Sequence, residues 1–172
     1  MKLKNNVSIL SVGLTTLALA LGNGQAVATD AKTYPGSFCA PANELFAKGG
    51  YDLFRGEFIN VGQSLIAVEC PIIKDNIASG NSLRDGFVRV LDRSPVSDAR
   101  CTIVSRRTQV HPDQAFTTTV RSRGSRSSVQ TLFFGGLGHN GSNTVYSMGC
   151  DIPAKFNGQK SKLMGYYINE NN

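Results

Sequence analysis

Residues 144–150, TVYSMGC, place Tyr146, Met148 and Cys150 on one side of an extended chain. Successive side chains of a β-strand point to opposite faces, so this alternation is typical of a strand with one buried face. Residues 64–70, SLIAVEC, form a second strong strand pattern, which also ends in a cysteine. The two stretches predict β-strands that carry their cysteines into a core.

Shorter strand patterns recur along the rest of the chain, with turn-forming residues between them. They cover residues 57–59, 87–91, 101–105, 116–123, 129–134 and 162–168. Short strands at a spacing of roughly 8–12 residues are typical of two packed antiparallel sheets. We therefore predict an all-β fold, an antiparallel β-sandwich of Greek-key or jelly-roll type. The one helical pattern, residues 42–48, ends at a Gly-Gly pair.

The N-terminal stretch has the three parts of a secretory signal peptide. Two lysines precede an apolar run at 7–21, and residues 26–28, AVA, supply a small-x-small cleavage site. The run is shorter than the roughly 20 apolar residues that a membrane-spanning helix needs. The sequence predicts a signal peptide at 1–28 and a single exported domain at 29–172, secreted or periplasmic and without a transmembrane anchor. Removing the leader lowers the net charge from +6 to +4, because it contains two lysines and no acid.

Four cysteines, Cys39, Cys70, Cys101 and Cys150, lie in the exported part. An even count in an exported chain predicts two disulfides, and no pair has the close spacing of a zinc site. Sequence alone leaves three pairings open. We favour Cys39–Cys70 with Cys101–Cys150, since pairing in sequence order joins neighbouring units without crossing the chain.

Several stretches together resemble a group of small exported bacterial proteins. They are GEFINVGQSLIAVECPIIKDN at 56–76, VRVLDRSPVSDARCTIVS at 88–105, VYSMGCDIP at 145–153 and SKLMGYYINEN at 161–171. The shared pattern is four cysteines, one of them in a Cys-Pro-Ile strand end. The resemblance implies a bacterial periplasmic or secreted setting. That group has no assigned activity, so the resemblance implies no substrate.

The densest group of charges is basic. Arg121, Arg123 and Arg126 follow a threonine-rich strand, and the first two share a face by the strand period. Such a cluster can bind a polyanion. The alternative, which we favour, is a solvated hairpin tip that protects an edge strand from pairing. Nucleic-acid binding is disfavoured, because no aromatic residues are interleaved with these arginines.

No segment carries a catalytic, metal or cofactor motif. The two histidines, His111 and His139, lie in separate loop stretches without metal-ligand spacing, and no G-x-S-x-G elbow occurs. We predict no catalytic, metal or cofactor residues and a non-catalytic sandwich that binds a glycan, an envelope component or a protein. The alternatives are a small secreted hydrolase with a site assembled from loops and a structural envelope component. A flat face with an aromatic strip favours binding, whereas a deep pocket around a histidine favours an enzyme.

Overall fold

The computed structural model of the chain describes residues 30–43, 50–74, 83–107, 115–136 and 144–170. These residues form β-strands joined by turns and one short 3-10 turn. The strands are β1 (Asp30–Pro35), β2 (Ala40–Pro41), β3 (Tyr51–Phe54), β4 (Glu57–Asn60), β5 (Ile66–Pro71), β6 (Leu83–Leu91), β7 (Arg100–Arg107), β8 (Ala115–Arg121), β9 (Gln130–Phe134), β10 (Thr144–Ile152) and β11 (Lys162–Glu170), and the 3-10 turn is Gly36–Phe38.

The strands form two antiparallel sheets. Sheet A has the order β3-β4-β11-β6-β9, with β1 paired to β11, and sheet B has the order β2-β5-β10-β7-β8. Between β4 and β7, and again between β8 and β11, every connection passes from one sheet to the other. The predicted all-β antiparallel sandwich with two disulfides is therefore confirmed.

Alternate residues of the strands fill the space between the sheets. In β10 the predicted inner residues Tyr146, Met148 and Cys150 are buried, and their neighbours Val145 and Ser147 are exposed. β5 repeats this pattern along its whole length. Fully burying a side chain of this size contributes about 1.5–3 kcal/mol. The alternation in the sequence therefore specifies the core directly.

Both disulfides link neighbouring strands of sheet B. Cys101 on β7 lies directly opposite Cys150 on β10, and Cys39, just before β2, bonds to Cys70 on β5. All four cysteines are buried. The favoured pairing in sequence order is confirmed, and the bonds hold together adjacent strands whose positions in the chain are 31 and 49 residues apart.

β1 and β4 share one side of β11, and a glycine makes this possible. β11 pairs with β4 at Lys162 and Leu163, and with β1 from Gly165 onward. Directly after β1 the chain passes Gly36, where an added Cβ would clash with the carbonyl oxygen of Leu163 on β11. Only glycine permits such a close approach of two backbones.

The structure corrects the predicted secondary structure in a few places. β8 ends at Arg121, so the predicted strand at 116–123 is two residues too long. β1, β2 and β3 were not predicted. The signal peptide at 1–28 lies outside the described residues, as does most of the predicted helix at 42–48. Within the described part of the chain, no helix has the length and apolar character required to cross a bilayer.

Candidate functional site

Three aromatic side chains form a line across the outer face of sheet A. Phe133 on β9 pairs in register with Phe87 on β6, and Phe87 pairs with Tyr167 on β11. Their neighbours Leu132 and Val88 are buried on the inner face, so the three rings point outward. We call these three residues the aromatic row. Because adjacent strands lie about 4.8 Å apart, the row spans roughly 10 Å.

The rings of the aromatic row contact one another. Phe87 and Tyr167 stack with their centroids 4.9 Å apart, and Phe133 meets Phe87 edge to face at 5.9 Å. The inner two rings are half-buried, whereas Phe133 is 71% exposed. Contiguous exposed apolar surface can mark an interaction site. Phe133 is therefore the ring most available to a ligand.

Arg89 lies beside the aromatic row on the same face. It is two residues from Phe87 on β6, and its guanidinium carbon is 5.7 Å from the Phe87 ring centroid. This is the range of a cation–π contact, which holds the arginine along the ring. Arg89 is exposed and makes no ion pair with a carboxylate of the described residues.

An open hollow of about 580 Å³ lies on the β1 side of Phe87 and Arg89. Thr33, Pro35 and Gly165 also line it. At Gly165 an added Cβ would lie 2.8 Å from the carbonyl oxygen of Tyr34, so a larger residue would displace β1. The glycine thus keeps β1 close to β11 and leaves the floor of the hollow free of a side chain.

Two stacked tyrosines support this hollow from the inside. Tyr34 and Tyr166 pack with their ring centroids 4.8 Å apart, and both are buried. The Tyr166 hydroxyl donates a hydrogen bond to the carbonyl of Pro71 on β5, which ties sheet A to sheet B. Burial raises the pKa of Tyr166, with a smaller contribution from the nearby Tyr34. The outer face of sheet A therefore rests on a firmly packed core.

A second open hollow, of about 530 Å³, lies beyond Phe133 between the edge strands β8 and β9. Its lining combines the aromatic ring with Arg121, Arg123, Gln130 and Thr131. The Gln130 side chain accepts a hydrogen bond from the backbone N–H of Arg123 at 2.8 Å. Arginines and an exposed ring therefore border the same hollow, although they come from different strands.

Residues 121–126, the arginine segment, lead from sheet B to sheet A. β8 is an edge strand of sheet B and β9 an edge strand of sheet A, so the segment is a crossover between sheets. The interpretation of these arginines as a hairpin tip is therefore wrong. The side chain of Arg126 turns back, and its Nε donates to the carbonyl of Arg123 at 3.3 Å.

The structure separates the two basic stretches of the sequence. In the β7–β8 pair Arg100 lies opposite Arg121, whereas Arg106 lies opposite Ala115 at the other end. Arg106 and Arg107 therefore do not contribute to the hollow beside Phe133. The exposed guanidinium of Arg100 instead pairs with Asp151 at 2.9 Å.

The predicted loop histidines, His111 and His139, lie outside the described residues. Among the residues that the structure describes, no group of three or more His, Cys, Asp or Glu side chains could hold a metal ion. The aromatic row was missed in the sequence, although the alternation at 129–134 held the signal. It places Leu132 and Phe134 inward and leaves Phe133 on the opposite face.

No protein-family model matches the chain, and no curated protein matches it. A solved family two carbohydrate esterase from Cellvibrio japonicus aligns with a TM-score of 0.45 and 7% identity, over 83% of this chain and 34% of the esterase. The CBM36-1 domain of a multidomain xylanase from the hindgut metagenome of Trinervitermes trinervoides aligns with 0.44 and 13% identity, over 81% and 96%. The low affinity xylan binding module CBM86 from Roseburia intestinalis aligns with 0.44 and 12% identity, over 82% and 96%. The chain spans about a third of the esterase and nearly the full length of the two modules.

Proposed function

We propose that the protein binds a polysaccharide across the outer face of sheet A. The observation that carries the proposal is the aromatic row, three rings in register on three adjacent strands with Phe133 71% exposed. A sugar ring presents a face of C–H groups, which packs on an aromatic ring, and a rim of hydroxyls. The row therefore matches the apolar part of such a ligand.

Polar groups beside the aromatic row suit the hydroxyls of the same ligand. Thr131 lies directly opposite Arg89 in the β6–β9 pair, and both are exposed. Same-face residues along a strand are two positions apart, which is roughly 7 Å. A sugar on the aromatic row thus brings its rim within reach of Thr131 and Arg89. The two hollows extend the surface on either side, as an extended chain requires.

Export of the protein fits this function. Disulfides persist in oxidising compartments, and both pairs of cysteines are bonded. A protein with the predicted signal peptide and two disulfides meets polysaccharides of the cell surface or the surroundings. Secretion or periplasmic location is therefore part of the proposal.

Affinity electrophoresis of the domain in gels with and without soluble polysaccharides tests the proposal. We expect Phe133→Ala to weaken binding about tenfold, since an anchor ring at an interface commonly contributes more than 1 kcal/mol. Phe54→Ala is the matched control, because Phe54 is 53% exposed on β3, at the opposite edge of the same sheet. Equal retardation of Phe133→Ala and the wild type, or no retardation of the wild type by any polysaccharide, would exclude this function.

A further inference from the structure

We infer that the polysaccharide bound by this face is acidic, an inference that rests on the proposed function. Two exposed arginines lie next to the aromatic row, Arg89 beside Phe87 and Arg123 in the hollow next to Phe133. Neither guanidinium group pairs with a carboxylate of the described residues. Positive charge on a ligand face with no protein anion to balance it favours an anionic ligand.

Arg121 also lines the hollow next to Phe133, although the strand period places its side chain on the outer face of sheet B, since its neighbour Val120 packs against the core. Arg121 lies directly opposite Arg100, and like charges in this position destabilise a strand pair. Arg100 is compensated by Asp151, whereas Arg121 has no such partner among the described residues. The charge of Arg121 therefore adds to the positive potential at this edge of the sandwich. Arginine also binds carboxylate and sulfate groups through two parallel hydrogen bonds, which makes it suited to either substituent.

Two acidic side chains of the described residues lie near the aromatic row or the arginine segment. Asp85 is two residues from Phe87 in the direction opposite to Arg89, close to Arg84 and the Asn169 amide. Asp98 accepts a hydrogen bond from the backbone N–H of Gly124. On β6, Asp85 and Arg89 therefore lie on opposite sides of Phe87, and we place the acidic groups of the ligand on the side of Arg89.

A nucleic acid also combines negative charge with flat rings, but this face suits it less well. Binding of single strands uses successive aromatic platforms on which bases stack. Here the Phe87 and Tyr167 rings stack on each other, so each has one face covered. Of the three rings in the aromatic row, only Phe133 is largely exposed. One free ring with flanking arginines fits a chain of sugars with charged substituents better than a series of bases.

A pair of polymers with the same backbone tests the inference. Polygalacturonate and its fully methyl-esterified form share a backbone, and the ester replaces each carboxylate with an uncharged methyl ester. Dextran sulfate and dextran form a second pair, which tests whether sulfate can take the place of carboxylate. We expect the wild-type domain to bind at least one acidic polymer about tenfold more tightly than its neutral counterpart, and less tightly as salt is raised. The variant Arg89→Gln/Arg123→Gln should lose that preference, whereas Arg106→Gln, at the far end of β7, should keep it.

The outcomes separate the inference from the proposed function. If neutral and acidic polymers bind equally and only Phe133→Ala weakens both, the ligand is a neutral polysaccharide and the inference is wrong. If the wild type binds none of the four polymers and no other polysaccharide, both fail. If it binds a single-stranded DNA oligomer more tightly than every polymer, and Arg89→Gln/Arg123→Gln abolishes this binding, the ligand is a nucleic acid and the inference is also wrong.

Discussion

The hydroxyl of Ser122 donates a hydrogen bond to the carboxylate of Asp92, and both residues are fully buried. The same carboxylate accepts the backbone N–H of Ser94 at 2.9 Å and that of Ala99 at 3.1 Å. The Asp92 carbonyl also accepts the N–H of Arg126 at 2.8 Å. One buried acid thus fixes both the start and the end of the arginine segment, and with it the wall of the hollow beside Phe133.

Removal of this acid should destabilise the fold. Asp92→Ala leaves the donors of Ser94, Ala99 and Ser122 without this acceptor, and we expect a loss of about 2–4 kcal/mol in the free energy of unfolding. Ser122→Ala removes the hydrogen bond donated to Asp92 and the one accepted from the Ala99 N–H, which keeps Asp92 as an acceptor, and should cost about 1–2 kcal/mol. Urea denaturation measures both. Ser128→Ala, an exposed change in the same crossover, should stay within about 0.5 kcal/mol, and a similar effect for all three variants would contradict the role of Asp92.

The two disulfides should each contribute substantially to stability. They close segments of 31 and 49 residues, for which loop entropy predicts about 4 kcal/mol per bond. We expect Cys39→Ala/Cys70→Ala and Cys101→Ala/Cys150→Ala to lower the free energy of unfolding by similar amounts. Because all four cysteines are buried, alkylation with mass spectrometry should find no free thiols in the native protein under mild reductant. Rapid labelling without denaturant would show that these bonds are accessible.

The sequence predicted the core strands well because each carries its own periodic signal. β5 and β10 alternate without interruption, so their inner faces are evident from seven residues each. β1 gave no such signal, because Lys32 points inward beside Tyr34 and pairs with Glu170. A charged residue at a core position breaks the alternation of apolar and polar residues. The strand is therefore not evident until the partner of that charge, at the other end of the chain, is known.

The aromatic row could not be predicted in the same way, because it depends on register between distant strands. Phe87, Phe133 and Tyr167 become neighbours only through the order β9-β6-β11. That order also carries Phe133 to the hollow that Arg121 and Arg123 line. No aromatic residue is interleaved with these arginines along the chain, because the ring that lines the same hollow comes from another strand.

Stability should fall in alkaline solution because of the buried tyrosines. Burial raises the pKa of Tyr166 above its usual value of about 10, and it also raises that of Tyr146. Above pH 10 the unfolded chain loses these protons while the folded protein keeps them, so the free energy of unfolding decreases with pH. The stability that the raised tyrosine pKa values provide is fully present below pH 10 and is lost as the pH rises toward the pKa of the folded state. Denaturation of wild type and Tyr166→Phe between pH 8 and 11 measures this, and we expect a shallower decline in the variant; identical slopes would contradict it.

The ion pair between Lys32 and Glu170 should contribute to stability because it neutralises a buried carboxylate. Lys32 Nζ lies 2.8 Å from Glu170 Oε1, and the Glu170 side chain is 1% exposed. Lys32→Met leaves this carboxylate in the core without its cation, which typically costs about 3–5 kcal/mol. Lys32→Met/Glu170→Leu removes both charges, and well-packed apolar replacements of buried pairs are often neutral. We therefore expect the double variant to recover most of the stability that the single variant loses, as measured by thermal and urea denaturation. If the two variants are equally destabilised, the loss comes from the packing of β1 against β11 rather than from the uncompensated charge.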